Sequence, residues 1–229
     1  MDFNTLTRYN TKNKISILIV WRNKMKTKVL LIRHGETQWN KELRFQGVTD
    51  IPLCDEGIRQ ANLLAKRLEG KLDVIYSSPL NRAFHTASIL GDQLNIKPII
   101  CENIREINYG NWEGHTFDKI KSEFPTEYHT WKHDKKEGLL MGGDFSIKNA
   151  SERGSNAILS IVNENKGKTI AIVAHGGIIK ASLIGLFHWE MTMYHSFFIG
   201  NTSITTLSFQ NNDKPVILGV NDTHHLDVL

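Results

Sequence analysis

Arg33 and His34 stand side by side where an apolar run, VLLI (29–32), stops, and Gly35 follows them. A second histidine, His175, ends another apolar run, KTIAIVAH (168–175), and is followed by Gly176 and Gly177. With Arg82 and Glu106, these residues form the set whose types could do chemistry together. Two guanidiniums and two imidazoles facing one cleft suit a tetrahedral dianion, because arginine offers a planar donor fork that matches phosphate and keeps its charge. A neutral imidazole nitrogen is a competent nucleophile toward phosphorus when its other nitrogen is held as a donor. One histidine would attack, and the other would donate to the non-bridging oxygens as charge builds. The departing alkoxide needs a proton, and Glu106 is the carboxylate placed to give it. Gly35 and Gly176 would let the backbone approach the ligand and lend N–H donors. Arginines and imidazoles supply the positive field, so neither a metal nor a cofactor is expected.

These side chains meet only if the chain delivers them to one edge. Apolar runs at 29–32, 73–78, 98–104 and 168–175 alternate with amphipathic stretches, which predicts βαβ units. Asp55 is a candidate N-cap for a helix ending before Gly70; Ser78, with Pro79 next, is a candidate cap for a helix that puts Arg82 in its first turn. Further helices are expected at roughly 116–139, at roughly 146–165 and behind Gly176-Gly177. SITTLSF and PVILGV, separated by NNDK, read as a closing hairpin. The fold class is therefore α/β: a three-layer sandwich with a central, mostly parallel sheet and helices on both faces. Ligands of such sheets bind beyond the carboxyl ends of the strands. Those ends are where Arg33, His34, Glu106 and His175 fall. Singly, each residue reads as an ordinary surface or turn feature; their shared placement argues for a site.

The 229 residues, 40% hydrophobic and 23% charged, suit one soluble domain. Two cysteines, Cys54 and Cys101, are too few for a disulfide framework, which fits a reducing cytoplasm. No apolar stretch approaches the ~18 residues of a membrane span. The formal charge of +4 is unevenly placed: residues 1–28 hold seven basic side chains and one acid, leaving the rest at −2. That distribution argues against a nucleic-acid surface on the domain. Residues 1–26 are expected to be a basic leader, disordered or a non-native extension upstream of Met25. Residues 27–229 are expected to form the catalytic domain, monomeric or homodimeric, with no nucleic-acid or membrane partner.

Several further motifs extend the set. RFQG (44–47), Asp50-x-Pro52-Leu53, YSSPLNRAFHTA (76–87), REINYGNWEG (105–114) and AHGG (174–177) follow LIRHGET and Asn40 in order. In this combination the chain, over about residues 27–226, resembles the histidine phosphatase superfamily with its phosphoglycerate mutase-like fold. The resemblance implies that His34 becomes phosphohistidine and that Arg33, Arg82 and His175 form the phosphate pocket. It implies contacts from Asn40, Gln46 and the backbone of Gly47 and Gly176, and a proton-donor role for Glu106. It also implies a small phosphomonoester as substrate. The segment 115–145 has no paired arginines and no proline run, so the chain resembles the phosphatase branch, like broad-specificity and α-ribazole-phosphate phosphatases. A cofactor-dependent phosphoglycerate mutase is the alternative, and a non-catalytic phosphate-binding relative a remote one. Trp112, Phe117, Phe124, Tyr128 and Trp131 are read as core or as lining for the leaving group. His129 and His133 read as a solvated helix face, His85 as packing near the site, and His224-His225 as surface. Asn201-Thr202-Ser203 fits a glycosylation triplet, without consequence in a cytosolic chain.

Overall fold

The computed structural model describes residues 26–210 and 215–227. The expected leader, Lys26 apart, lies outside the described residues. Four strands run parallel: β1 (Lys26–Arg33), β2 (Val74–Ser77), β3 (Ile99–Ile100) and β4 (Thr169–Ala174). β5 (Ile204–Gln210) pairs antiparallel with β1, and β6 (Val216–Asp222) with β5, giving the order β3-β2-β4-β1-β5-β6. Residues 211–214, which contain the hairpin link, lie outside the described residues.

The side-chain period of two sorts each central strand between two cores. Leu30 and Ile32 of β1 face helices α2 (Asp55–Leu68) and α3 (Asn81–Leu94), packing with Leu64, Leu68, Ala87 and Leu90. Val29 and Leu31 face the other way, with Ile158 and Ile161 of α6 (Ile147–Glu164) and Ile178 and Ile184 of α7 (Gly176–Phe187). Helices on both faces of a mainly parallel sheet make the expected three-layer sandwich. The short α1 (Gln38–Lys41) follows β1, and α4 (Phe117–Glu123) and α5 (Pro125–His133) cap one end of the second core.

Four local expectations change. The helix expected over 116–139 is two helices, because Pro125 has no N–H and pushes Phe124 out of the helical region (φ −130°, ψ 54°). The third strand pairs through only two residues before the chain enters a 3₁₀ turn, Glu102–Ile104. Asp55 is the first residue of α2 rather than its cap, which falls on Cys54. Ser78 and Pro79 precede α3, whose cap is Leu80.

Candidate active site

β1 and β4 are neighbours in register, Arg33 beside Ala174, so the residues after them emerge together. His34 N–H donates to the Ala174 carbonyl (3.0 Å), and the His34 and His175 rings lie 5.1 Å apart. His34 Nδ1 lies 2.6 Å from the Gly35 carbonyl. A carbonyl only accepts, so Nδ1 carries the proton and Nε2 keeps its lone pair. β2 ends on the other flank of β4 and brings Ser78, whose Oγ lies 2.7 Å from His175 Nε2.

Arg82 is fully buried in the first turn of α3 and donates to the carbonyls of Thr49 (2.9 Å) and Gly47 (2.7 Å). Arg33 donates to the Ile199 carbonyl (2.8 Å). Each guanidinium keeps a buried Nε without a partner, as does His175 at Nδ1. Unsatisfied buried donors are costly. Arg33 and Arg82 both line the cavity beside His34, where such donors suit an anion. Burial, with Arg82 and Arg33 adding, holds His34 well below its ordinary pKa; burial, Arg82 and His34 do the same for His175. Both rings are neutral near pH 7. Burial brings Arg82 down only to about 10, so its charge stays.

Glu106 reaches the same edge after the 3₁₀ turn that follows β3. Its Oε1 accepts from Ile107 N (2.8 Å) and Ile178 N (2.8 Å), and its Oε2 from Gly177 N (3.0 Å). The free N–H groups at the start of α7 therefore hold the carboxylate. Likewise Asn81 N, at the start of α3, donates to Asp50 (2.8 Å) rather than standing free for a phosphate.

Arg33, His34, Arg82, Glu106 and Gly176 line one cavity of about 480 Å³, together with Asn40, Gln46 and Gly47. His175 is buried behind them, touching His34. Asn40 Oδ1 accepts from Thr37 N (3.1 Å) and from Asn201 Nδ2 (3.1 Å), so this oxygen orders the loop. Gly47 has φ +56°, and the Glu113 carboxylate fills the place a Cβ would take. Phe117 and Trp131 line the cavity, whereas Trp112 is core. His85 is exposed on α3 and does not pack at the site. His129 and His133 are exposed, as expected, and His224 is too. His225, expected at the surface, is buried with Nε2 3.0 Å from Thr202 Oγ1.

Sequence reasoning gave no site role to Asn201, Ser78 or Glu113. Asn201 Nδ2 donates to the His34 carbonyl (3.0 Å). Its signal was the hairpin itself: an antiparallel β5 must begin where β1 ends. Glu113 accepts from Val48 N (3.0 Å), Thr49 N (3.0 Å) and Tyr109 N (3.1 Å), clamping the RFQG loop to the segment after Glu106.

Residues 29–223 match the family described as the histidine phosphatase superfamily (branch 1). The chain belongs to that superfamily. Phosphoserine phosphatase 1 of Hydrogenobacter thermophilus is 30% identical over 200 residues, covering 87% of this chain and 94% of the relative. Phosphoglycerate mutase-like protein 4 of Arabidopsis thaliana is 31% identical over 202 residues, covering 87% and 86%. A crystal structure of a phosphoserine phosphatase mutant from Entamoeba histolytica, in complex with phosphoserine, superposes with a TM-score of 0.82 at 40% identity, covering 87% of this chain and 99% of that one. This histidine phosphatase is accordingly a phosphoric monoester hydrolase acting on small phosphorylated metabolites.

Proposed function

We propose that hydrolysis runs in two steps through a phosphohistidine on His34, without a metal. His34 Nε2 attacks phosphorus, the N–P bond forms as the P–O ester bond breaks, and the leaving alkoxide receives through Glu106 a proton that the substrate brings in as its phosphate monoanion. Glu106, now a carboxylate, then takes a proton from water as that water attacks phosphorus, releasing phosphate and restoring neutral His34. Arg33, Arg82 and His175 hold the phosphoryl oxygens while charge moves across them. Gln46 and the backbone of Gly47 and Gly176 border the same space.

One observation carries the reading: the His34 tautomer is fixed by the Gly35 carbonyl among buried donors that lack partners. Substituting His34→Ala lowers hydrolysis of p-nitrophenyl phosphate by on the order of 10⁴-fold, while EDTA leaves the native rate unchanged. Near-native turnover by the alanine variant would sink the proposal. Glu106→Gln slows alkyl phosphates by roughly 10²–10⁴-fold but aryl phosphates far less, because a phenolate leaves without help. Equal slowing of both would remove Glu106 from the proton-donor role.

A further inference from the structure

Glu106 lies on a stretch of chain that the sheet does not hold. β3 pairs only through Ile99 and Ile100, and after the 3₁₀ turn Glu102–Ile104 the backbone runs on with no strand neighbour among the described residues. Its backbone groups still need partners where they are buried. One side chain from α6 supplies several of them. Arg153 Nη1 donates to the carbonyls of Asn103 (3.0 Å) and Arg105 (2.9 Å), and Nη2 reaches that of Glu106 (3.4 Å). The guanidinium is held in turn by Asp144, which accepts from Nε (3.2 Å) and Nη2 (3.1 Å). Asp144 Oδ2 also accepts from Asn108 N (2.8 Å). The chain on both sides of Glu106 is thus fastened to one ion pair.

The pair is built for placement rather than for contact with a ligand. Neither side chain lines the cavity, and both are largely buried, at 14% exposure for Arg153 and 7% for Asp144. The loop that carries Asp144 lies tight against the Glu106 segment: a Cβ on Gly142 would run into the Asn108 carbonyl. Phe145 takes φ +60° while 68% exposed, so its side chain gains little packing for a left-handed backbone. That turn carries the chain from Asp144 into Ser146, whose hydroxyl accepts from Asn149 N (3.1 Å) to begin α6. The Glu106 carboxylate, for its part, is held by N–H groups at the start of α7, which shares a core with α6. Glu106 therefore hangs between two helices: α6 fixes its backbone and α7 its carboxylate.

We infer that Asp144 and Arg153 are positioning residues, which set the place of Glu106 at the sheet edge and so aim its carboxylate at the leaving-group oxygen. The inference rests on the phosphatase reading above, in which the leaving alkoxide takes its proton through Glu106. A carboxylate displaced by a fraction of an ångström still binds its N–H donors but meets the departing oxygen poorly.

Two conservative variants test it. Arg153→Lys keeps a charge beside Asp144 but gives up the fork to three carbonyls. Asp144→Asn keeps an acceptor for Asn108 N and gives up the ion pair. Each lowers kcat for ethyl phosphate by roughly 10–10²-fold with KM little changed, and p-nitrophenyl phosphate loses about tenfold less. A role in stability alone would depress both substrates together, in step with the melting temperature. The deciding measurement is a double-mutant cycle with Glu106→Gln: in that background Arg153→Lys slows ethyl phosphate by no more than about twofold further. Should Arg153→Lys not fold, Asp144→Asn carries the same cycle. Fully additive effects would overturn the positioning role, as would equal losses on substrates that Glu106→Gln separates. The phosphatase reading fails by a different result. If Glu106→Gln slows both substrates equally, Glu106 is not the route of the proton, and the cycle still decides whether Arg153 acts through it.

Discussion

At the scale of single residues, the site depends on hydrogen bonds that set protons and directions. His34 is useful because one carbonyl fixes its tautomer, and the carbonyl of His34 itself is gripped by Asn201. Asn201→Ala removes donors to both His34 and Asn40. The expected result is a fall in kcat of about tenfold and a stability loss of about 1 kcal/mol. Asn201→Asp, which keeps the shape but not the donor, reproduces the fall; steady-state kinetics with thermal melts check both. Of the residues proposed to carry chemistry, Arg33, His34 and His175 were legible because they stand at the ends of apolar runs whose strand character is plain, whereas Glu106 follows a run that pairs as a strand through only two residues. Asn201 was not, since its importance comes from a partner 167 positions away. Ser78 was assigned to a helix cap; its hydroxyl accepts from Leu80 N (3.3 Å), just ahead of α3, and also meets His175.

At the scale of elements, α7 is the organising piece. Its first turn presents Gly177 N and Ile178 N to Glu106, and its next turn carries Lys180. A Cβ on Gly177 would run into the hydroxyl of Tyr109 and come within 2.6 Å of Glu106 Oε1 and 2.8 Å of the Tyr194 hydroxyl. Gly177→Ala is therefore expected to leave α7 formed, alanine being the better helix former. It should nevertheless show the leaving-group dependence of Glu106→Gln, with alkyl phosphates losing at least tenfold more than aryl ones. A rate series over phenols of graded acidity reads this out. The four parallel strands and α2, α3, α6 and α7 were legible from periodicity and buried apolar runs. The break at Phe124-Pro125 followed from proline chemistry and could have been read. The shrinking of β3 to two residues could not: Ile99 and Ile100 are partly exposed at the sheet edge, where only long-range pairing decides the length of a strand.

At the scale of the whole molecule, the buried histidines tie stability to pH. Burial holds His34 and His175 well below their ordinary values and brings His195 and His225 down to about 4. An unfolded histidine titrates near ~6.5, so below that pH the unfolded chain binds more protons than the folded one. The stability these groups contribute is fully present above about 6.5 and is lost as pH falls toward 4. Asp222, held down to about 2 by Arg67, loses its contribution only below that window. Thermal melts should therefore decline steadily between pH 6.5 and 4.5, and His195→Gln with His225→Gln should flatten the decline. An unchanged slope in the double variant would assign the decline to other groups. One further consequence follows from β5 running back beside β1. Thr202 N donates to the carbonyls of Arg33 and His34, and His225 steadies the Thr202 hydroxyl. The proposed nucleophile, His34, is thus finished by residues far downstream of it in sequence. The backbone of His34 is therefore not set until β5 has docked beside β1, so activity would report that long-range closure as well as the chemistry.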